Sequence, residues 1–444
     1  MRPEEFHFLL SPDGQAALAE LAAAPPTPDS HMAVAARWRE RLGPERAQAA
    51  LETALLRQRA AGKFARAAEM FFTRDGLEQA TAEPVAAHRA ARFAAAGART
   101  VADLGCGIGG DALALAATGA AVAGVDLDLV RLMMAAANAD AYGLAERFLP
   151  IQADLRHLPP LPAEAFFFDP ARRAGGGARG APSRRLHSVA DYQPPLSLID
   201  AWRPVVPRGA VKVSPGIDYA ELPPSVEAEF VSLGGEVKEA VLWYGELRTA
   251  ARRATLLPGG HTLSGDNDEV APVAAPQAYL YEPDGAVIRA HLVGLLAGQL
   301  EAALIDPQIA YLTADALRPT PFARAYAIDD AFPFQLKRLR AYLRQRGVGQ
   351  VTIKKRGSPL EPDALRQALR LRGDNEAVLF LTQVAGRHTV LIGARFQGPG
   401  SREEERSSLE TGPSPLAPSS TASPLPARGT CPAPPSRHLR PARG

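Results

Sequence analysis

Four aspartates in the first half of this 444-residue chain stand where acids can accept hydrogen bonds from hydroxyls and amines. Asp103, Asp126, Asp154 and Asp169 each close an apolar run, over 100–104, 121–126, 148–154 and 165–170. Between the first two lies Gly105-Cys-Gly-Ile-Gly-Gly110. Glycine suits a tight turn whose backbone must come close to a ligand, because a Cβ would block the approach. Asp126 follows the first glycine by about 20 residues, the offset at which a nucleotide-binding unit places an acid on ribose hydroxyls. Taken singly, each aspartate reads as a turn or helix-cap residue. Four at successive strand ends point to one crevice, since ligands of open α/β sheets bind outside the carboxyl ends of the strands.

The glycine spacing admits two ligands. Gly105, Gly107 and Gly110 satisfy the dinucleotide pattern Gly-x-Gly-x-x-Gly, while Gly105, Gly107 and Gly109 satisfy the looser Asp-x-Gly-x-Gly-x-Gly loop that receives S-adenosylmethionine. A pyrophosphate beside Asp103 would be repelled, whereas a sulfonium and an α-ammonium group would be attracted. Charge thus favours S-adenosylmethionine, with NAD as the alternative.

The elements that must carry these residues follow from the pattern around them. A helix is expected over 111–118, another over 196–202 and a strand over 210–213. The runs 237–244 and 253–257 are separated by too few residues for a helical crossover. They read as an antiparallel hairpin that closes the sheet, a feature an NAD domain normally lacks.

Residues 98–257 resemble a class I S-adenosylmethionine-dependent methyltransferase domain, on Val101-Ala-Asp-Leu-Gly-Cys-Gly-Ile-Gly109, Gly124-Val-Asp126, Gln152-Ala-Asp154 and Phe168-Asp-Pro-Ala171. The resemblance implies that Asp103, Gly105, Gly107 and Gly109 hold the methionine end of the cofactor, Asp126 the ribose and Asp154 the adenine. It also implies that the Asp169-Pro170 turn faces the methyl acceptor. Met70-Phe-Phe-Thr-Arg-Asp-Gly76, continuing through Thr81 and His88, is similar to the entry helix of base-methylating relatives, cap trimethylguanosine synthases among them. Relatives that methylate exocyclic base amines usually carry Asp/Asn-Pro-Pro and then an aromatic ring. Here the sequence is Asp169-Pro170-Ala171-Arg172-Arg173, so the acid and first proline stay while the second proline and the ring are replaced. An arginine plane can stack on a base or bind phosphate, which keeps Arg172 and Arg173 as substrate-binding candidates.

Composition frames the rest. Apolar residues make up 46% of the chain, and the net charge is only +2, so any nucleic-acid affinity must come from local patches. Cys106 and Cys431 are the only cysteines, which argues against a disulfide framework or thiolate metal site, and the nine histidines show no metal-ligand spacing. The N-terminus lacks a signal-type apolar segment, and no run approaches the roughly 18 residues a membrane helix needs, so a cytoplasmic protein is expected.

Residues 1–97 read as a helical region, with Arg59, Lys63 and Arg66 as a basic strip. The arginine- and glycine-rich stretch 174–185 reads as a basic loop beside the acceptor turn, or as a low-complexity insertion. Residues 259–276 read as a linker. Beyond it, 277–397 is expected to form a smaller α/β domain. It would have helices over 291–305 and 333–346, a strand over 351–357, a helix from about Pro362, and a hairpin of strands 377–384 and 388–396. This unit resembles the THUMP-like domain of some bacterial methyltransferases, chiefly on Ile353-Lys-Lys-Arg-Gly357. The resemblance implies an RNA substrate, and Lys354, Lys355 and Arg356 are the candidate phosphate ligands. The tail, 398–444, offers almost nothing apolar to bury and is expected to be disordered.

The sequence therefore reads as an α/β enzyme: a helical N-terminal region, a Rossmann-like class I methyltransferase sheet over 98–258 and a THUMP-like domain. It would transfer a methyl group from S-adenosylmethionine to a nucleotide in RNA, without a metal. The alternatives are a methyltransferase acting on a protein or small molecule, and an inactive RNA-binding protein that keeps the cofactor fold.

Overall fold

The computed structural model describes residues 1–27, 29–172, 192–266 and 269–395. Arg173, the 174–185 stretch and the 398–444 tail lie outside the described residues. Six helices open the chain: α1 (Pro3–Leu10), α2 (Pro12–Ala23), α3 (His31–Leu42), α4 (Pro44–Ala60), α5 (Arg74–Gln79) and α6 (Glu83–Ala95). Pro3, Pro12, Pro44 and Pro84 initiate helices, occupying the first turn of α1, α2, α4 and α6, where their missing N–H is not needed. Thr73 caps α5 by accepting from the Gly76 N–H at 2.9 Å.

Next come β1 (Thr100–Leu104), α7 (Gly110–Ala117), β2 (Ala121–Asp126), α8 (Leu129–Ala141), β3 (Phe148–Gln152) and β4 (Ala165–Phe168). A two-residue ladder, β5 (Ala171–Arg172) with β6 (Tyr192–Gln193), precedes α9 (Leu198–Trp202) and β7 (Gly209–Val213). The sheet is completed by β8 (Glu227–Leu233), β9 (Glu236–Tyr244), β10 (Arg252–Leu257) and β11 (His261–Gly265). The nine strands run in the order β11-β10-β8-β9-β7-β4-β1-β2-β3. β1 through β4 and β7 pair in parallel, so the direction of winding reverses between β1 and β4. That reversal is the topological switch point, and Asp103 and Asp169 stand on its two sides.

β9 is antiparallel to β7 and β8, as expected for a strand that closes such a sheet. The expected hairpin of 237–244 with 253–257 is not formed. The antiparallel partner is β8, turned onto β9 at Gly234 and Gly235, and β10 lies parallel on the far side of β8. The stretch read as linker contributes β11, which pairs antiparallel with β10.

The second sheet orders β13 (Ala303–Asp306), β14 (Ile309–Ala314), β12 (Tyr279–Pro283), β15 (Ala323–Pro333), β18 (Arg387–Arg395), β17 (Asn375–Val384) and β16 (Val348–Lys355). A short helix, α10 (Gly285–Arg289), comes first; the expected helix over 291–305 is shortened to α11 (Val293–Leu300) and followed by β13. Glu301 takes a left-handed conformation and stops α11, so Leu304 sits in a strand. α12 (Leu336–Gln345) is shorter than the 333–346 expected, because Pro333 ends β15. α13 (Pro362–Leu369) starts where expected.

The cores follow from these layers. One face of the first sheet buries Val101, Val122 and Phe167 with Phe6, Trp38, Phe71 and Phe93 of the N-terminal helices. The other face forms a single cluster with α10 and α11, in which Phe168, Val213, Phe230 and Leu242 meet Val287, Leu296 and Leu312. Arg289 ties the same two parts together, its Nε donating to the Pro215 carbonyl at 2.5 Å. α12 and α13 bury Leu339, Leu343, Leu365 and Leu369 against the strands at the β16 edge.

Candidate active site

The loop after β1 bends back onto β2. The N–H groups of Gly105 and Cys106 both donate to the Val125 carbonyl, at 2.8 and 2.9 Å. Gly105 has φ +89°, and a Cβ there would lie 3.1 Å from the Asp169 carbonyl oxygen, so glycine lets β1 and the end of β4 close on one another. Gly109 has φ +87° and caps α7, with Ala135 of α8 3.1 Å from where a Cβ would stand. Asp103 projects into this corner almost fully buried, at 1% exposure, and neither carboxylate oxygen has a hydrogen-bond partner. Burial, reinforced by Asp111 and Asp169, pushes its carboxyl well above the ordinary range, while Arg89 pulls it back. An ionisable oxygen pair left unsatisfied in a protein interior is costly unless something cationic comes to it.

Asp126 is shaped by the loop it faces. Its Oδ2 accepts from the Gly107 N–H and its Oδ1 from the Asp128 N–H, both at 2.9 Å. Each oxygen keeps a lone pair for an outside donor such as a ribose hydroxyl. Asp154 lies two residues past β3 and is closed by its neighbours: Arg156 donates to it from its backbone and guanidinium, and His157 stands 3.6 Å away. The hydrogen bonds from Arg156 hold its carboxyl well below the usual range. Asp103, Asp126 and Asp169 therefore converge, whereas Asp154 flanks them with its charge already matched.

Asp169 is fixed from both ends. Its N–H donates to the Leu104 carbonyl at 3.2 Å, and its Oδ2 accepts from Lys212 Nζ at 2.8 Å. Lys212 also donates to Thr81 Oγ1 at 3.0 Å, and Thr81 in turn donates to Asp111 Oδ2 at 3.0 Å. Arg89, buried, spans Asp111 and Glu239. Burial opposes the charge on Lys212, but Asp169, Glu239 and Asp111 outweigh it and keep its pKa above the ordinary lysine value. The corner thus assembles four carboxylates, Asp103, Asp111, Asp169 and Glu239, around two cations, Arg89 and Lys212. The surplus of negative charge suits a ligand that brings positive charge.

Pro170 and β5 follow directly, and the ladder with β6 is anchored where the Ser214 N–H donates to the Tyr192 hydroxyl at 2.6 Å. The side chain of Arg172 and all of Arg173 lie outside the described residues. Met70–Gly76 packs against the glycine loop: Asn138 of α8 holds the Phe71 backbone through two hydrogen bonds and the Ile108 carbonyl through a third. Of the basic strip in this region, Lys63 donates to the carbonyls of Leu77 and Glu78, and Arg66 pairs with Glu69.

In the second sheet the candidate phosphate ligands are engaged internally. Lys354 pairs with Glu282 at 2.5 Å and Lys355 with Glu361 at 2.7 Å. Arg356 donates to the Ala310 carbonyl at 2.5 Å and lies over the Tyr311 ring. The described residues contain no group of His, Cys, Asp and Glu that would hold a metal ion. No helix among them is long and apolar enough to cross a membrane.

An uncharacterised S-adenosylmethionine-dependent methyltransferase of Mycobacterium tuberculosis, known from strains CDC 1551 and H37Rv, is 38% identical over 361 residues, covering 78% of this chain and 95% of its own. The chain belongs to the S-adenosylmethionine-dependent methyltransferases. Residues 98–174 of this methyltransferase match the model for RNA cap guanine-N2 methyltransferase, 323–395 the model for a THUMP domain-like unit, and 2–60 a domain of unknown function. Its fold is shared with the crystal structure of a putative methyltransferase from Porphyromonas gingivalis W83, at TM-score 0.68 and 22% identity over 86% of this chain and 99% of that one.

The structure adds Lys212, Arg89, Glu239 and Asp111 to the site the sequence outlined. Lys212 had a visible sign: it is a lone lysine in a strand whose neighbours Ala210, Val211 and Val213 are buried. Nothing local marks Arg89 or Glu239, whose partners come from distant parts of the chain.

Proposed function

We propose that this methyltransferase modifies a nucleotide of RNA, using the crevice at the carboxyl ends of β1, β2 and β4. The observation that carries the cofactor half is Asp103, a buried carboxylate without a hydrogen-bond partner in a corner with more acids than cations. A ligand with an α-ammonium and a sulfonium fits that corner, and a pyrophosphate does not. In this reading Asp103, Gly105, Gly107 and Gly109 hold the methionine end. Asp126 takes the ribose hydroxyls, and Asp154 takes the adenine amine once Arg156 yields an oxygen.

Bound there, S-adenosylmethionine supplies an electrophilic methyl group that needs no metal. The protein's part is positioning, which is worth most when the acceptor lone pair is held in line with the methyl. With Oδ2 taken by Lys212, Oδ1 of Asp169 is the atom that accepts from the acceptor group, and Pro170 fixes the turn that aims it. Arg172 and Arg173 hold a phosphate or stack on the base. Lys354, Lys355 and Arg356 contribute positive potential at the second sheet rather than free ligands, since each is already matched.

The RNA half rests on the similarity of 98–174 to RNA cap guanine-N2 methyltransferase and of 323–395 to a THUMP domain-like unit. The test is transfer of labelled methyl from S-adenosylmethionine to total RNA of cells lacking this gene, with Asp169→Ala alongside. Label that appears with the native protein and vanishes with the variant supports the reading. Cofactor binding without label in RNA redirects it to a protein or small-molecule acceptor.

A further inference from the structure

Between residues 331 and 360 the chain holds eight lysines and arginines and no acid, an imbalance out of keeping with a net charge of +2. The structure divides these cations into two groups. Lys354, Arg356 and Arg340 are spent on part-buried acceptors, Arg340 donating to the Ala368 carbonyl at 2.5 Å, and Lys355 is held in a surface pair with Glu361. Lys337, Arg338, Arg344 and Arg346 are exposed on α12 and its C-cap, and among the described residues none of them makes an ion pair. α12 turns Leu339 and Leu343 into the core, which leaves Lys337, Arg338 and Arg344 on its outward side, with Arg346 exposed at the C-cap. Two of the guanidinium groups are further fixed by rings: Arg338 lies 4.1 Å over Phe332, and Arg346 3.6 Å over Tyr342. A guanidinium laid on a ring keeps its planar donor edge available, a form suited to phosphate oxygens.

The character of the face selects its partner. The exposed large apolar residues of the described chain are Met1, Leu10, Met32, Leu127, Leu129, Leu149, Val205, Val270 and Val273, and none lies between 274 and 395. A protein-docking surface needs an apolar or aromatic anchor, and an interfacial membrane helix needs an apolar face to insert. Here no large apolar side chain is exposed, and the rings at hand, Phe332 and Tyr342, lie beneath Arg338 and Arg346. Exposed cations of this kind fit the phosphates of a folded RNA. We infer that the outer face of α12, through Lys337, Arg338, Arg344 and Arg346, is the phosphate-docking surface of this methyltransferase for structured RNA. The paired cations at the end of β16 are not that surface. The inference rests on the RNA reading above and gives it a location.

Binding of a folded tRNA-sized transcript to the full chain, measured from about 50 to 200 mM salt, tests both separately. Each phosphate contact contributes about 0.7–0.9 to the slope of log affinity against log salt. Replacing Lys337, Arg338, Arg344 and Arg346 together by glutamine should lower the slope by about 3 and the affinity at 0.1 M salt by at least about 100-fold. Cofactor binding should be unchanged, which shows that the variant is folded. Lys354→Gln with Lys355→Gln should move the slope by less than about 1. Equal binding by the native protein and the α12 variant would overturn the surface and leave the RNA reading standing. No RNA binding by the native protein would remove both. Capture by phosphatidylserine vesicles that the α12 variant loses, with RNA binding intact, would assign the face to a membrane instead.

Discussion

Replacing Asp103 by asparagine should move stability and cofactor affinity in opposite directions. Asp103 is almost fully buried with both oxygens unpartnered, and burial raises its pKa well above the ordinary 3.8. A carboxyl whose pKa is raised by folding binds more protons in the folded than in the unfolded state, so the apo protein loses stability as pH rises from about 3.8 to the raised value. The asparagine keeps the shape and removes that penalty. Leaving a buried polar group unsatisfied costs about 1–3 kcal/mol and a charged one more, so the apo variant, which keeps an uncharged amide there, should unfold a few degrees higher than the native protein at neutral pH. The ligand's ammonium changes the sign. It favours the ionised form of Asp103, so cofactor binding should release a proton, and affinity should rise with pH by up to about tenfold per unit below the raised pKa. Loss of a charge-assisted contact worth about 1.5–3 kcal/mol should weaken the variant's binding by roughly 10- to 150-fold and flatten the pH dependence. Titration calorimetry in two buffers of different ionisation enthalpy counts the proton, and scanning calorimetry of the apo proteins reads the stability. A variant that binds as tightly as the native protein, with the same proton release, would refute this account of Asp103.

Gly109→Ala forces a side chain into a left-handed position against Ala135, and should lower stability by about 1–3 kcal/mol in chemical denaturation while weakening cofactor binding. Arg89→Met leaves Asp111 and Glu239 buried without their cation; a loss of about 3–5 kcal/mol is expected, read as a lower denaturant midpoint. Glu229 is buried, which alone would raise its pKa, yet the hydrogen bond and charge of His88, with help from Arg92 and Thr255, lower it to about 2. A depressed carboxyl stabilises the fold above its unfolded value of 4.5, and that contribution should disappear as pH falls from about 4.5 to 2. Glu229→Gln should flatten the acid limb of stability over that window, and an unchanged limb would contradict the assignment.

The parts legible in the sequence are those whose cause is local. The glycine loop, the strand-end acids and the order of β1 to β4 all depend on spacing within a few tens of residues, and the acids at 103, 126 and 169 do gather at the switch point. β8 is not legible in the sequence, for a physical reason. Its sequence, Glu-Ala-Glu-Phe-Val-Ser-Leu, places Glu227 and Glu229 on what looks like a solvent face, yet both are fully buried. Arg92 and Arg253 neutralise Glu227, while His88, Arg92, Trp243 and Thr255 satisfy Glu229. The pairings with His88 and Arg92 span well over a hundred residues and leave no periodic trace. The overlong helix at 291–305 has a similar origin, because its leucine spacing continues past a stop made by the backbone of Glu301 rather than by a glycine or proline. The basic patch shows a further limit: charge is visible in a sequence, but whether Lys354 is free or held by Glu282 is not.

The core that joins Phe230 and Leu242 to Val287 and Leu296, with Arg289 gripping the Pro215 carbonyl, crosses the stretch that reads as a linker. That crossing makes the connection a weld instead of a hinge. A fragment ending near residue 276 would bare the apolar side of the first sheet, so the two parts should unfold together and resist separate expression. A partner seated on the second sheet would stand at a fixed distance from the crevice at the carboxyl ends of β1, β2 and β4, so on the proposed function that reach, as on a ruler, would help set the position modified.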